Sequence, residues 1–145
     1  MRWMIAACLA GLTAAAWADD VGLVKVMAGE VSIERDGKSL PAQVGAPVRQ
    51  SDILVTGADG SAGVTFTDNS LLSVGPNSVL AIDRYVFNST THAGQFDASL
   101  KKGTLAVISG KIVKQSPDAM RVRTPSSIMG VRGTEFVVRA SDSGR

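Results

Sequence analysis

Near the end of the chain, a pair of charged residues interrupts a run typical of a half-buried strand. Residues 124–136 read TPSSIMGVRGTEF, and Arg132 and Glu135 stand there among Ile, Met, Val and Phe. In a regular strand these two side chains point to opposite faces, because their separation is odd. A bend at Gly130 and a bulge at Gly133 would bring both to one face. The local sequence predicts either an Arg132–Glu135 structural clasp or an exposed Arg132 beside a turn.

Residues suited to catalysis are scarce elsewhere. His92 is the only histidine, and it lies in the polar segment of residues 88–94, NSTTHAG. A Ser-His-acid site is arithmetically possible, but the chain has no Gly-x-Ser-x-Gly turn to present a serine. His92 therefore reads as a surface residue, and we predict no catalytic residue. The paired carboxylates of a glycan hydrolase meet in space rather than in sequence, so that enzyme class stays open as the alternative.

Metal and cofactor sites also lack a signature in the sequence. Zinc sites use clusters of Cys and His, and the chain has one residue of each type. Oxygen ligands for calcium occur at residues 59–61 and 68–70, but turns use the same residue types for their backbone conformation. A phosphate-binding Gly-rich loop needs a helix after it, and the sequence predicts none. We predict no metal and no cofactor.

The first 18 residues have the pattern of a cleaved signal peptide. A positive Met1-Arg2 precedes the apolar run of residues 3–15, and Ala16-Trp17-Ala18 supplies small residues at the cleavage positions. The run is shorter than the roughly 20 residues that span a membrane. We therefore expect an exported mature chain, residues 19–145, with no membrane span and no nucleic-acid partner. Cleavage would also remove Cys8, the only cysteine, and with it any disulfide.

Charge is unevenly distributed along the predicted mature chain. Residues 19–94 carry 5 basic and 9 acidic side chains, whereas residues 95–145 carry 9 basic and 4 acidic ones. Three explanations are open: the two halves attract one another, the charged residues are solvated strand faces, or the second half offers a basic surface to an anionic partner. Arg121 and Arg123 alternate onto one face of a predicted strand, and we predict them as exposed partner contacts.

Alternation of apolar and polar residues dominates the mature chain and predicts strands. Val31, Ile33 and Arg35 share one face of the first clear strand. Asp36-Gly37 tolerates the positive φ angles of a tight hairpin turn, which would pair Arg35 with Lys38 and Ile33 with Leu40. Pro41 then places the returning strand at a sheet edge or ends it.

Residues 61–84 divide into three units of eight residues, SAGVTFTD, NSLLSVGP and NSVLAIDR. Val64, Leu72 and Leu80 occupy one register position, and each unit ends in a turn sequence. One unit cannot bury its apolar row alone, so the units must stack on one another. Both an antiparallel meander and a β-solenoid satisfy this requirement.

Turn signals recur every eight to twelve residues and predict about ten to twelve short strands. The polar segment at residues 87–95 is expected to be a loop, and residues 115–119 a connection that contains proline. The prediction is an all-β single domain, built either as a β-solenoid or as a sandwich-like meander.

Residues 124–136 resemble the signature of the FecR domain family, the periplasmic module named for a regulator of iron-citrate uptake. Supporting similarity occurs in residues 52–61, 71–82 and 102–106, and the resemblance runs from about Gly29 to Val138. The motif residues that carry it are Thr124, Pro125, Gly130, Arg132, Gly133, Thr134, Glu135 and Phe136.

The resemblance implies a non-enzymatic envelope module that acts through contact with a protein. Family regulators pass the occupancy of an outer-membrane transporter to a cytoplasmic sigma factor. The sequence shows neither an N-terminal helical segment nor a membrane-spanning helix, so we do not expect it to take that role alone. The expected function is binding or signalling through an envelope protein or glycan, with a glycan hydrolase or a structural envelope protein as alternatives.

Overall fold

The structure, a computed structural model, describes residues 20–130 and 135–140. In this part of the chain, twelve strands and one short helix follow one another. The elements are β1 Asp20–Ala28, β2 Val31–Arg35, β3 Lys38–Pro41, β4 Pro47–Arg49, β5 Ile53–Thr56, β6 Ser61–Phe66, β7 Leu71–Val74, β8 Val79–Phe87, β9 Gly94–Ile108, α1 Lys111–Gln115, β10 Met120–Arg123, β11 Ile128–Gly130 and β12 Glu135–Ala140.

The strands form one curled sheet with two arms, and β9 belongs to both. Arm A contains β4, β1, β6, β7 and β12, and it joins β9 at residues 103–108. Arm B contains β3, β2, β5, β8, β10 and β11, and it joins β9 at residues 94–102. All described pairs are antiparallel except β9 with β10.

The prediction of an all-β single domain is confirmed. Antiparallel pairing of sequence neighbours is the meander arrangement, whereas a β-solenoid stacks its coils in parallel. The sequence pattern predicts no helix, and the five residues of α1 correct that expectation. A single helical turn leaves too few apolar positions to show a helical period.

The predicted hairpin at Asp36-Gly37 is present in the expected register. Arg35 pairs with Lys38 and Ile33 with Leu40, and both turn residues have positive φ, 53° and 75°. The returning strand β3 ends at Pro41 and lies at the edge of the sheet. Local turn chemistry therefore determines this part of the fold.

The three eight-residue units become β6, β7 and the start of β8, but they do not stack in a single row. Val64 pairs with Leu72, as a meander requires. Leu80 instead pairs with Leu54 of β5 and with Leu100 of β9. The third unit thus crosses from arm A to arm B after the turn at residues 75–78.

The inner faces of the two arms meet in one hydrophobic core. Phe66 of arm A packs against Tyr85 and Phe96 of arm B, with ring centroids 5.3 and 4.7 Å away. Tyr85 and Phe96 in turn lie 5.0 Å apart with their rings nearly perpendicular. Aliphatic side chains surround this aromatic cluster and bury the inner face of every long strand.

The passage of β9 between the arms depends on Gly103. Its φ is +97°, and a Cβ atom there would overlap the buried side chain of Ser78. The Ser78 hydroxyl accepts a hydrogen bond from the Thr104 N–H at 3.0 Å and donates one to the Pro76 carbonyl at 3.0 Å. The Ser78 N–H donates to the hydroxyl of Thr56 at 2.9 Å. This polar contact between the arms fills the space where β9 changes direction.

Replacing Gly103 by Ala should lower the free energy of unfolding by about 3–5 kcal/mol, because steric overlap adds to backbone strain at positive φ. Gly45 is a matched control, since its φ is +89° and an added Cβ would meet nothing within 4 Å. Gly45→Ala should lower it by only about 1–2 kcal/mol, the strain alone. Denaturant unfolding followed by circular dichroism measures both. Equal losses in the two variants would show that the Ser78 contact does not limit the bend.

Candidate functional site

The residues predicted as the structural motif begin with a turn between β10 and β11. Thr124 organises this turn, since its backbone N–H donates to the Ser127 carbonyl at 2.8 Å and its hydroxyl accepts from the Ser127 N–H at 3.1 Å. Pro125 lies within the turn and is exposed. Gly130 ends β11 opposite Arg121.

The predicted clasp falls partly outside the described residues. Arg132, Gly133 and Thr134 lie outside them, so the pairing of Arg132 with Glu135 stays a prediction. Glu135 opens β12 opposite Ile108 and is exposed. Phe136 follows on the inner face and packs, half-buried, against the core.

Arg121 and Arg123 lie on the outer face of β10, and both side chains are exposed. The intervening Val122 and the preceding Met120 are fully buried, which fixes the direction of the two arginines. Neither guanidinium has a hydrogen bond or ion pair with any residue in the described part of the chain. Lys101 and Arg123 line a shallow groove that reaches Thr124 and Pro125. We call Arg84, Lys101, Arg121 and Arg123 the basic face.

Acidic residues are interleaved with the basic face but do not pair with its arginines. Asp97 lies between Arg84 and Arg121 in the strand register, and its carboxylate accepts a hydrogen bond from the Gln95 side chain at 2.8 Å. Asp83 accepts a hydrogen bond from the Ser99 hydroxyl. Four cations and two carboxylates leave this surface with a net positive charge.

The structure contains a charged clasp between Arg35 and Asp52 that the sequence pattern did not predict. The Arg35 guanidinium donates to both carboxylate oxygens of Asp52, at 2.8 and 2.6 Å, and the Arg49 N–H donates to one of them at 2.9 Å. Asp52 is 1% exposed. The hydrogen bond to Asp52 raises the pKa of Arg35. Arg35 lies on the same inward face of β2 as Val31 and Ile33. A charged residue on a core-facing row indicates a buried partner, and this was the signal in the sequence for the clasp.

A second buried carboxylate, Asp68, closes the corner of arm A. It accepts hydrogen bonds from the Ser70 N–H and the Tyr85 hydroxyl on one oxygen, and from the Ser70 hydroxyl and the Ile112 N–H on the other. The Asp68 carbonyl accepts the Lys111 N–H at 2.8 Å. Four donors therefore surround a carboxylate that is 0% exposed. The contacts tie the β6–β7 turn to β8 and to the start of α1, so the group serves architecture.

The remaining candidates for chemistry stay separate. His92 lies in the loop after β8 with φ 60°, and its ring stacks on Phe87 with the centroids 6.1 Å apart. Within residues 20–130 and 135–140, no group of three or more His, Cys, Asp or Glu side chains is placed to hold a metal ion. No helix among these residues is long and apolar enough to cross a membrane.

The fold and these contacts define a class: a small all-β domain whose buried polar groups fix its turns and whose outer face carries cations without an ion pair among the described residues. The family model described as FecR protein matches residues 52–145. The chain belongs to the FecR family, a family of signalling and regulatory domains. No curated protein and no solved structure shows a significant match. Although the family match begins at Asp52, β1 to β4 belong to the same sheet.

Breaking the Arg35–Asp52 clasp should destabilise the fold. Arg35→Gln should lower the free energy of unfolding by about 2–4 kcal/mol, because it leaves a buried carboxylate without its cation. Arg49→Gln is the matched control, since Arg49 pairs with Asp20 at 3.0 Å where both side chains are solvent-exposed, at 34% and 50%. That change should cost about 1 kcal/mol or less. A smaller loss for Arg35→Gln than for its control in chemical denaturation would contradict a structural role for the clasp.

Tyr85 should keep its proton at alkaline pH. Burial raises the pKa of Tyr85 above its ordinary value of 10.0, and the negative charge of Asp68 adds to the rise. Tyr85 is the only tyrosine, so ultraviolet difference spectroscopy reports its ionisation alone. The folded protein should form phenolate only well above pH 10, whereas the chain in denaturant should do so near the ordinary pKa.

The same shift makes stability dependent on pH. Because the pKa is higher in the folded state, the stabilising contribution of Tyr85 is fully present below about pH 10 and is lost as pH rises above it. Tyr85→Phe should remove this part of the alkaline decrease in unfolding free energy, while the background from other groups remains. A folded-state titration near pH 10 would contradict the predicted shift.

Proposed function

We propose that this chain is a non-enzymatic periplasmic module that binds an anionic partner in the cell envelope through its basic face. Membership in a family of regulatory domains supports binding over turnover. The signal-peptide pattern of residues 1–18 supports export to the periplasm. The buried carboxylates of Asp52 and Asp68 also support a non-enzymatic role, because their oxygens already accept hydrogen bonds from donors of the fold itself.

The observation that carries the proposal is the outward pair on β10. Arg121 and Arg123 are two residues apart on one strand, so their Cα atoms are about 6–7 Å apart. Two carboxylates that alternate along an extended partner segment have the same spacing. Arginine suits such a contact, because its planar guanidinium binds a carboxylate through two parallel hydrogen bonds.

An acidic protein segment fits this geometry best. Unpaired surface arginines speed the encounter with an anionic partner and select its orientation. An anionic glycan would present carboxylates at spacings set by its sugar rings, and it is the second outcome that the experiment distinguishes.

The test is crosslinking in intact cells, followed by identification of the crosslinked partner. Arg121→Glu with Arg123→Glu should lower partner recovery about tenfold or more, because two attractive contacts become repulsive. The matched control is Lys25→Glu with Lys38→Glu, which makes the same change in net charge at exposed positions away from the basic face. The control should retain the partner.

Thermal unfolding of both double variants separates binding from folding. Arg121→Glu with Arg123→Glu should melt as the wild type does, since both side chains are exposed. Unchanged recovery, or unfolding of this variant alone, would contradict the proposed contact. Recovery of a glycan in place of a protein would show that the partner is a polysaccharide. Turnover of a wall polymer by the purified protein would favour the alternative, a glycan hydrolase.

A further inference from the structure

The strand β12 forms an open edge of arm A. Its six residues pair with β9 on one side, and no residue in the described part of the chain pairs with its other side. Such an edge exposes a row of backbone N–H and C=O groups that can pair with another strand. Proteins commonly shield edges with very short strands, prolines, inward-pointing charges or charged side chains on the edge strand. The strand β12, EFVVRA, has no proline and no inward-pointing charge, and its charged residues Glu135 and Arg139 lie on the outer face.

The side chains of β12 have a symmetric order. Glu135, Val137 and Arg139 alternate on the outer face, and all three are exposed. Val137 is 62% exposed, a large value for an apolar side chain at the middle of a strand. On the inner face, Phe136 is half-buried at the rim of the core and Val138 is buried.

This order is complementary to itself in an antiparallel pair. If a two-fold axis passes between Val137 and its copy, Glu135 stands opposite Arg139 of the second chain, and the same pair repeats on the other side of the axis. Phe136 then stands opposite Val138 of the second chain on the inner face. Directly opposed residues in antiparallel strands interact most strongly, and opposite charges there are favourable.

The register is selected by these charges. Shifting it by one residue would turn the second copy over and place the two cores on opposite sides of the joined sheet. Shifting it by two residues in either direction would set Glu135 opposite Val137, or Arg139 opposite Val137, and would leave the charges unpaired. A single register of β12 therefore satisfies both the charges and the common core face.

We propose that β12 is a homodimerisation edge, through which two copies of this chain join their arms into one continuous antiparallel sheet. The contact covers Val137 and the exposed rim of Phe136, which are the apolar groups at this edge. It also extends the outer row Val26, Gly63, Ser73, Ala106 and Val137 across the axis. We infer that the strand added at this edge is that of a second copy of the chain. A foreign strand would pair through its backbone whatever the order of side chains on β12, whereas the order Glu135, Val137, Arg139 is complementary to itself.

The first test is the molar mass of the purified mature chain in the absence of any partner, measured by sedimentation over roughly a hundredfold range of concentration. The wild type should pass from monomer to dimer as concentration rises, since a single-strand edge is a small interface. Glu135→Arg and Arg139→Glu should each stay monomeric, because each sets like charges opposite one another. Lys25→Glu, on the outer face of arm A, is the control and should dimerise as the wild type does.

Mixing the two monomeric variants is the decisive step. The Glu135→Arg chain carries two cations on the outer face of β12, and the Arg139→Glu chain carries two anions. In the proposed register they are complementary, so an equimolar mixture should recover the dimer as a heterodimer. Loss of an Arg132–Glu135 clasp within one chain would not be repaired by mixing.

Three results would overturn the proposal: a wild type that is monomeric throughout, a dimer that survives both single variants, or a mixture that stays monomeric. Circular dichroism of each variant confirms that the chain is folded before its mass is read. The measurement uses no envelope partner, so its outcome is independent of whether the basic face binds one.

Discussion

The bend of β9 at Gly103 is the constraint on which the rest of the sheet depends. Both arms join through this strand, so its change of direction determines how their inner faces meet. A side chain at Gly103 would take the space of Ser78, and Ser78 holds the next residue of β9 through its hydroxyl. Hydrophobic burial drives the arms together without specifying an angle. The directional contacts around Ser78 supply that angle. The fully buried Leu100 and Leu105 flank Gly103 along β9.

Elsewhere in the molecule, buried polar groups hold the turns between strands in place. Asp52 fixes the β4–β5 turn against Arg35 of β2, and Asp68 fixes the β6–β7 turn against Tyr85 and α1. A carboxylate that accepts several N–H and O–H donors holds a turn in one conformation, since each lost contact would leave a buried charge poorly solvated. The buried carboxylates of Asp52 and Asp68 thus stabilise the fold. The charged groups that a partner can reach lie on the basic face and at β12.

The features that the sequence predicted correctly are local ones. The hairpin at Asp36-Gly37 follows from turn chemistry, and the pairing of Val64 with Leu72 follows from an eight-residue repeat joined by a short turn. The partners of Leu80 are far away in sequence, and repetition alone suggested the wrong neighbour. Asp68 was assigned to a turn, which is correct but incomplete, because its donors Tyr85 and Ile112 come from distant segments. The motif predicts a clasp at Arg132, whereas the clasp among the described residues forms at Arg35, where the alternation places a charge on the inner face.

The fold also changes the meaning of the uneven charge along the chain. Composition makes residues 19–94 acidic and residues 95–145 basic, and the sequence left open whether the halves neutralise one another. In the structure, Asp52 and Asp68 of the acidic half are buried and hydrogen-bonded within the fold, so they are withdrawn from contact with any partner. Arg121 and Arg123 of the basic half stand outside without a described counter-ion. Arg35 is paired with Asp52, and Asp68 belongs to arm A, so the positive charge of arm B is that of the basic face itself. This local excess of cations favours an anionic partner over mutual attraction between the halves.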